Sequence, residues 1–282
     1  MKAEKVVYYS DSLKDDFAGT NIKAQSVGGD FPFLHKSRIW NFAAFLLYYM
    51  VAIPLVFIIS KVYLGLKFEN RQVVKKLKNT GFYLYGNHTR DLDAFIPPMV
   101  AFPKKAHIIA NSDAVSIPFL HNVVQMLGAI PVPDSLSGMK GFTEAVFYRC
   151  KEKKCVAIFP EAHVWPFYTG IRPFPDTSFH YPVKDGSPVI AMVTTYRKRK
   201  GVFLLSKRPG MTVTLSEPMY IDSTLPPKKA QKELRDRVYS FMTEISSTKE
   251  NIEYIKYVKK TQNDPENLRN LLNLFYRYNL KG

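Results

Sequence analysis

Apolar positions fall into short blocks separated by turn residues, and their period changes along the chain. Residues 39–60 form an uninterrupted uncharged run, bracketed by Arg38 and Lys61. Beyond it, brief apolar stretches at 82–85, 106–110, 128–132, 155–159, 187–196 and 211–216 are bounded by Gly, Pro, Asn or Lys, the signature of buried strands. Between them lie segments of helical character at 61–78, 94–100, 119–127, 135–152 and 227–246. Pro97 and Pro98 interrupt the second of these, and the last carries alternating charge. Strands alternating with helices predict an α/β fold with a mostly parallel central sheet flanked by helices. Residues 160–184 are a long Pro- and aromatic-rich loop with Trp165, Phe167, Tyr168 and Phe174, a length that usually marks function. Val6 to Tyr9 reads as an edge strand in an otherwise extended polar arm. In the tail, Leu268, Leu271, Leu272 and Phe275 form one helical stripe. No repeat or low-complexity tract stands out.

The uncharged run is long enough to cross a hydrocarbon core of about 30 Å. A single transmembrane helix, a broken pair dipping into one leaflet (favoured by Pro54 and the central Tyr48 and Tyr49) and a buried core helix are all open. The organisation expected is an N-terminal arm (1–38), a membrane-anchoring hydrophobic and basic helical segment (39–78), a catalytic domain (79–248) and a helical tail (249–282). No signal-peptide apolar core precedes the run.

The formal charge of +16 implies an anionic partner: nucleic acid, an acidic substrate or an anionic membrane. No nucleic-acid recognition motif is present, and the uncharged run is hard to place in such a protein. The basic residues of 61–78 beside the apolar run would sit on anionic head groups. The two cysteines, Cys150 and Cys155, fit neither a redox nor a zinc spacing and suit a reduced cytosolic setting. No spacing supports a metal site, including the neighbourhood of His163.

The chemistry concentrates in residues 81–93, G-F-Y-L-Y-G-N-H-T-R-D-L-D. A strand closes at Gly86, and Asn87 and His88 follow at once; Thr89, Asp91 and Asp93 crowd a helix start, where unpaired N–H groups favour carboxylates. His88 and Asp93 are five apart, about 140° of rotation on an ideal helix, so they meet only if His88 precedes the first turn. A carboxylate on one imidazole nitrogen would fix the tautomer and free the other to take a proton.

N-H-T-R-D-L-D resembles the N-H-x-x-x-x-D block of the glycerolipid acyltransferases, the family that includes 1-acylglycerol-3-phosphate acyltransferase. Phe159-Pro160-Glu161 is similar to the family's F-P-E-G-T-R, Gly186 to Ile190 to its later Gly/Pro-led strand, and Ser216-Glu217-Pro218 to its terminal G-E-P, in order over about residues 80–220. The resemblance implies a glycerol-3-phosphate acyltransferase-like fold anchored by an N-terminal hydrophobic element. It implies acyl transfer from a thioester, acyl-CoA or acyl carrier protein, to a lysophospholipid hydroxyl at the cytoplasmic face of the cell membrane. His88 would be the base, Asp93 its orienting partner, Glu161 an acceptor-seating residue, and Asn87 or nearby N–H groups an oxyanion donor. No bound cofactor or metal is implied. Two family arginines are missing: Ala162-His163-Val164 replaces G-T-R, and Asp134 falls on the other position. Those arginines hold the acceptor phosphate, so a relocated site built from Arg90, Arg172, Lys104 or Lys105, or a different head group, is expected. A non-catalytic lipid-binding protein is the rival from another class.

Overall fold

The computed structural model describes residues 5–17, 26–116, 120–199 and 209–260. Its centre is β3, Phe82–Gly86, the F-Y-L-Y-G run. Every residue of β3 is buried, because helices cover both sheet faces, and a strand buried twice reads as continuous apolar sequence rather than alternation. Phe82 and Leu84 point into one core layer with Val100, Ile190 and Leu215. Tyr83 and Tyr85 point into the other with Phe142, Phe179 and Val238. The two tyrosines carry their hydroxyls to partners at the layer's edge, Asp185 Oδ2 at 2.7 Å and Ser178 O at 2.9 Å. Buried phenols of this kind need such partners to offset desolvation.

The strands are β1 Lys5–Tyr9, β2 Lys67–Glu69, β3, β4 Ala106–Ala110, β5 Ala129–Pro131, β6 Cys155–Ile158, β7 Val189–Arg197, β8 Gly210–Leu215 and β9 Ile255–Lys259. Seven form one sheet in the order β2-β8-β7-β3-β6-β4-β5, parallel except for the β7–β8 pair. The helices are α1 Arg38–Tyr63, α2 Ile96–Ala101, α3 His121–Leu127, α4 Leu136–Lys151, α5 His180–Asp185 and α6 Pro227–Thr248. The expected α/β class and its mostly parallel sheet are therefore present. Pro97 and Pro98 do not interrupt α2; they occupy its first turn, where a missing N–H costs nothing.

Three local expectations change. The basic stretch after Lys61 is not one amphipathic helix: it contains β2 and a 3₁₀ turn, Arg71–Leu77, whose Val73, Val74 and Leu77 enter the core. Residues 6–9 do not extend the main sheet; β1 pairs in parallel with β9 to make a separate two-stranded ribbon. Loop 160–184 ends in a 3₁₀ turn, Thr177–Phe179, and α5. The tail stripe beginning at Leu268 lies outside the described residues.

The apolar run is a single 26-residue helix, long and apolar enough to cross a membrane. It is neither a broken pair nor a core helix. Two stretches, Leu47–Ala52 and Ile59–Tyr63, are π-helical; Ile53 N–H reaches back five residues to Tyr48 O, next to Pro54, which has no N–H to donate. The buried positions Ala44, Tyr48, Val56 and Ser60 stand at multiples of four. In a pure α-helix a four-residue step drifts about 40°, so such a stripe would wind round the axis. The wider π turns cancel that drift and keep the stripe straight against the body. Tyr48 OH accepts from Ala106 N at 3.0 Å, and Tyr49 OH donates to Pro103 O at 2.9 Å. The opposite side exposes Ile39, Phe42, Met50, Leu55 and Ile58.

Adjacent residues of α1 thus have opposite fates: Leu55 is 54% exposed and Val56 7%. Leu55→Glu should weaken partition into lipid vesicles and leave the unfolding midpoint in detergent unchanged. Val56→Asp should lower stability by on the order of 3 kcal/mol, the cost of an unpaired charge against a packed surface. Equal effects of the two substitutions on unfolding would show that the helix does not dock by this stripe.

Candidate active site

Strand β3 delivers Asn87 and His88 at its C-terminal end, the end of a parallel sheet where ligands bind. Asn87 does not turn away from the sheet. Its Nδ2 donates to Thr194 O at 3.1 Å and its Oδ1 accepts from Thr194 N at 2.8 Å, so a side chain prolongs the β3–β7 ladder by one rung. The chain after this rung must turn, and Asp93 defines the turn.

The Asp93 carboxylate is 0% exposed. Its Oδ2 accepts from Thr89 N at 2.6 Å and Arg90 N at 2.8 Å, and lies 3.2 Å from His88 Nδ1. Two backbone donors fix the acceptor before the imidazole arrives. The proton of His88 therefore belongs on Nδ1, and Nε2 is left as the acceptor. The ring stacks on Phe159, with centroids 4.6 Å apart and planes at 26°, and its side chain is 19% exposed. Among the described residues, no partner engages Nε2. Thr89 is buried beneath, its Oγ1 accepting from Tyr196 OH at 2.7 Å.

Glu161 and Arg172 lie directly behind this turn. Glu161 Oε2 accepts from Arg172 Nε at 3.1 Å and sits 3.0 Å from Nη2; its Oε1 accepts from Arg172 N at 3.3 Å. Oε2 also accepts from His88 N at 3.5 Å. The guanidinium stacks over Trp165 at 5.0 Å and donates to His163 O. Both side chains are fully buried. Burial pushes the Glu161 carboxyl up to about 7, against the pull of the Arg172 charge and the backbone donors. Glu161, expected to seat the acceptor, and Arg172, expected as a phosphate ligand, are thus paired with each other inside the protein, while Arg172 Nη1 is buried without a hydrogen-bond partner among the described residues.

Arg90 is different. Its guanidinium lies 4.9 Å from the centre of the Phe167 ring and donates only to Met211 Sδ at 3.7 Å, with no carboxylate partner among the described residues. Lys104 and Lys105 precede β4, which runs parallel to β3 through β6, so they stand at the sheet end away from His88. A five-residue strand spans on the order of 16 Å, which removes both as partners for an acceptor held at His88. Lys104 Nζ instead ties together Lys78 O, Thr80 O and Lys153 O. No cluster of three or more His, Cys, Asp or Glu that could hold a metal occurs among the described residues.

The N-terminal arm, expected to carry no chemistry, clamps loop 160–176 over the site. Trp165 Nε1 donates to Asp15 O at 2.7 Å, and Val164 N to Asp16 Oδ1 at 3.3 Å. Tyr9, Phe17 and Tyr257 surround the indole, Tyr257 stacked at 4.8 Å. Trp165 N and Phe167 N in turn donate to His88 O and Thr89 O, at 3.2 and 2.9 Å. The only signal in the sequence was the aromatic–acidic texture of residues 8–17, which has no period to read.

This buried pair predicts a pH-dependent deficit. Arg172→Gln should cost about 3–5 kcal/mol in chemical denaturation, the usual penalty for stranding a buried charge. Without the Arg172 charge, Glu161 titrates above its wild-type value of about 7. Its folded pKa then lies further above the unfolded one. Stability is therefore greatest below the unfolded carboxylate range and is lost as pH rises through the folded value. The deficit should shrink as the carboxyl is protonated at acidic pH, and Glu161→Gln in the same chain should recover part of it. A deficit independent of pH would refute the pairing.

Comparison with curated proteins finds no match. Among solved structures, the chain is similar to the 1-acyl-sn-glycerophosphate acyltransferase PlsC of Thermotoga maritima. The TM-score is 0.48 and the identity 17%, over 76% of this chain and 99% of that one. That likeness is too distant to add to the argument. The family model for acyltransferases matches residues 65–205, half of the 282-residue chain, a span that holds His88, Asp93, Glu161 and Arg172. The chain belongs to the acyltransferase family.

Proposed function

We propose that this enzyme moves a fatty acyl group from a thioester, acyl-CoA or acyl carrier protein, to the hydroxyl of a lysophospholipid, with 1-acylglycerol-3-phosphate as the first acceptor to test. One observation carries the proposal: a buried carboxylate, fixed by two backbone N–H groups, holds the Nδ1 side of a half-buried imidazole whose Nε2 is unengaged. In this reading Nε2 takes the acceptor hydroxyl proton as the oxygen attacks the thioester carbonyl. The C–S bond then breaks, the imidazolium returns its proton to the leaving thiolate, and the acyl ester is released. No covalent enzyme intermediate is needed.

The remaining roles follow from what each side chain has left to offer. Asn87 is committed to Thr194 and serves as a positioning residue. Glu161 and Arg172 position the His88 backbone and loop 160–176. Arg90, with no carboxylate to neutralise it, is the cation placed to meet the acceptor phosphate. The family phosphate positions hold Asp134, whose Oδ1 accepts from Ser26 Oγ at 3.3 Å, and the buried apolar Val164. That replacement is the specific ground for a second reading, in which the acceptor carries a different head group.

The geometry of α1 supports attachment in the plane of a membrane rather than across it. Its buried stripe is docked along the body while its other side offers Phe42, Met50, Leu55 and Ile58 to lipid. An amphipathic element of this kind lies at the head-group boundary. The cytoplasmic leaflet is its proposed location, since the thioester donors and anionic lipids are there.

Transfer by detergent-purified protein, assayed with labelled donors against a panel of lysolipids, tests these roles. His88→Ala should reduce turnover by about 10³-fold or more, the scale of removing a general base together with its positioning. Arg90→Ala should raise the KM for lysophosphatidate about tenfold and leave kcat little changed, as for lost ground-state binding. An unchanged KM in Arg90→Ala, with transfer to uncharged or zwitterionic lysolipids, would favour the second reading. Transfer unaffected by His88→Ala would refute the mechanism.

A further inference from the structure

A cavity lies at the β5 edge of the sheet, reaching to the end opposite His88. It has a volume of about 220 Å³ and lies between α1, the start of β4, strand β5 and the end of α4. Lys105, Arg149 and Lys154 line it, together with the imidazoles of His35 and His107. No Asp or Glu does. Its remaining wall is aromatic and aliphatic, including Phe33, Trp40, Phe45 and Ile130.

Cations taken out of water normally meet a carboxylate. Here Lys105 Nζ has a backbone carbonyl, Met126 O at 2.6 Å, and the face of Tyr48 at 4.9 Å. The Arg149 guanidinium has the ring of its neighbour Tyr148 at 5.5 Å and no hydrogen bond or ion pair among the described residues. Burial, and then the charges of Arg149 and Lys154 beside it, pull Lys105 down to about 8. Burial likewise lowers Arg149, with Tyr148 and Glu152 as the only groups pulling the other way. His107 is held neutral for the same reasons. The arrangement costs stability in the empty protein, and a bound anion would remove that cost.

The mouth of the cavity identifies the source of the anion. Trp40, Asn41, Ala44, Phe45 and Tyr49 of α1 form one side, and the exposed apolar residues Ile39 and Phe42 continue outward from it. His35 stacks on Trp40 at 3.9 Å and its Nε2 lies 2.8 Å from Gln125 Oε1, closing the far side. The space is on the order of a glycerophosphate head group and too small for acyl chains, which would lie along the exposed side of α1. A choline or ethanolamine cation would face Lys105, Arg149 and Lys154 and be rejected.

We propose that this cavity is a head-group site for an anionic phospholipid of the host membrane, separate from the catalytic centre, with Arg149, Lys154 and Lys105 holding the phosphate. His88 stands beyond the C-terminal end of β3, whereas this site sits at the N-terminal ends of β4 and β6. The site would therefore report membrane composition or fix orientation without competing with substrate.

The test uses the full chain in zwitterionic detergent at about 1 M salt, where the Debye length is about 3 Å and diffuse surface attraction is screened. Unfolding temperature is followed with short-chain phosphatidylglycerol, short-chain phosphatidylcholine or inorganic phosphate. The expected result is saturable stabilisation by phosphatidylglycerol well beyond the other two. Arg149→Gln with Lys154→Gln should weaken it at least about tenfold, the effect of losing charge-assisted hydrogen bonds. The same pair should raise the unfolding temperature of the lipid-free protein by relieving repulsion. Lys75→Gln with Lys78→Gln, outside the cavity, should change neither. Lys154→Glu alone, at the half-exposed rim, gives a second reading if the double variant misfolds, and should also abolish the preference. Equal stabilisation by inorganic phosphate would replace the lipid with a soluble ion and overturn the proposal. So would a phosphatidylglycerol effect that is lost in 1 M salt or that survives both cavity substitutions.

Discussion

A carboxylate with no access to water has to be met by donors, and at Asp93 that requirement shapes the site. Two backbone N–H groups and an imidazole converge on one oxygen, Oδ2. They can do so only if the chain stays extended as far as Arg90, whose φ is −158°, and turns at Asp91. The turn sets His88 ahead of the helical residues, so the five-residue spacing that would fail on a helix succeeds here. The ring has little freedom left, with Phe159 against its face and its Nδ1 fixed. The same demand recurs one layer back. Glu161 is buried and would cost several kcal/mol uncompensated. Arg172 answers it, and in doing so fastens loop 160–176 behind the His88 backbone.

These two buried carboxylates need rigid surroundings, and the sheet provides them from distant parts of the chain. Asn87 prolongs β3 onto Thr194, Tyr196 of the same strand reaches Thr89, and Asn251 Oδ1 accepts from Tyr196 N at 3.1 Å. From there the chain enters β9, pairs with β1 and brings Asp15, Asp16 and Phe17 onto Trp165. Residues 9–17 and Tyr257 thus pack on the loop that braces the histidine. Gly81 shows how tight the opposite end of β3 is: a Cβ there would lie 2.0 Å from Cys150 O, so only glycine lets the strand start against α4.

What could be read from residues depended on the range of the interaction that decides it. The pairing of His88 with Asp93 is local: a buried strand followed by capping residues allowed it, and the family resemblance made it the expectation. The central strands were equally legible, since burial on both faces leaves unbroken apolar runs at 82–85 and 155–158. β2 and β9 were not: K-F-E and I-K-Y-V-K are edge strands whose charges point to water, and only the partner strand makes them strands. The pairing of Glu161 with Arg172 could not be read, because neither residue's burial, nor the other's proximity, leaves a mark at sequence spacing. Nor could the register of α1 be read: its stripe repeats at four, a period that looks non-helical until π turns are admitted.

The basic character of the chain, read from the sequence as implying an anionic partner, is organised by the polarity of the sheet. Parallel strands put every strand start at one end, and the sequence places Lys78, Lys104, Lys105, Lys153 and Lys154 at the starts of β3, β4 and β6. Some of these charges are absorbed by carbonyls, as Lys104 is. Others face the cavity beside α1, where no carboxylate lines the wall. At the opposite end Arg172 is paired with Glu161, and Arg90 lies over Phe167 with no carboxylate partner among the described residues. One end thus gathers His88 with the buried Asp93 and Glu161, and the other concentrates positive charge beside an apolar helix. A membrane offers the counterpart of the second arrangement, hydrocarbon bordered by phosphate, so on the reading proposed above the fold's own directionality separates attachment from chemistry.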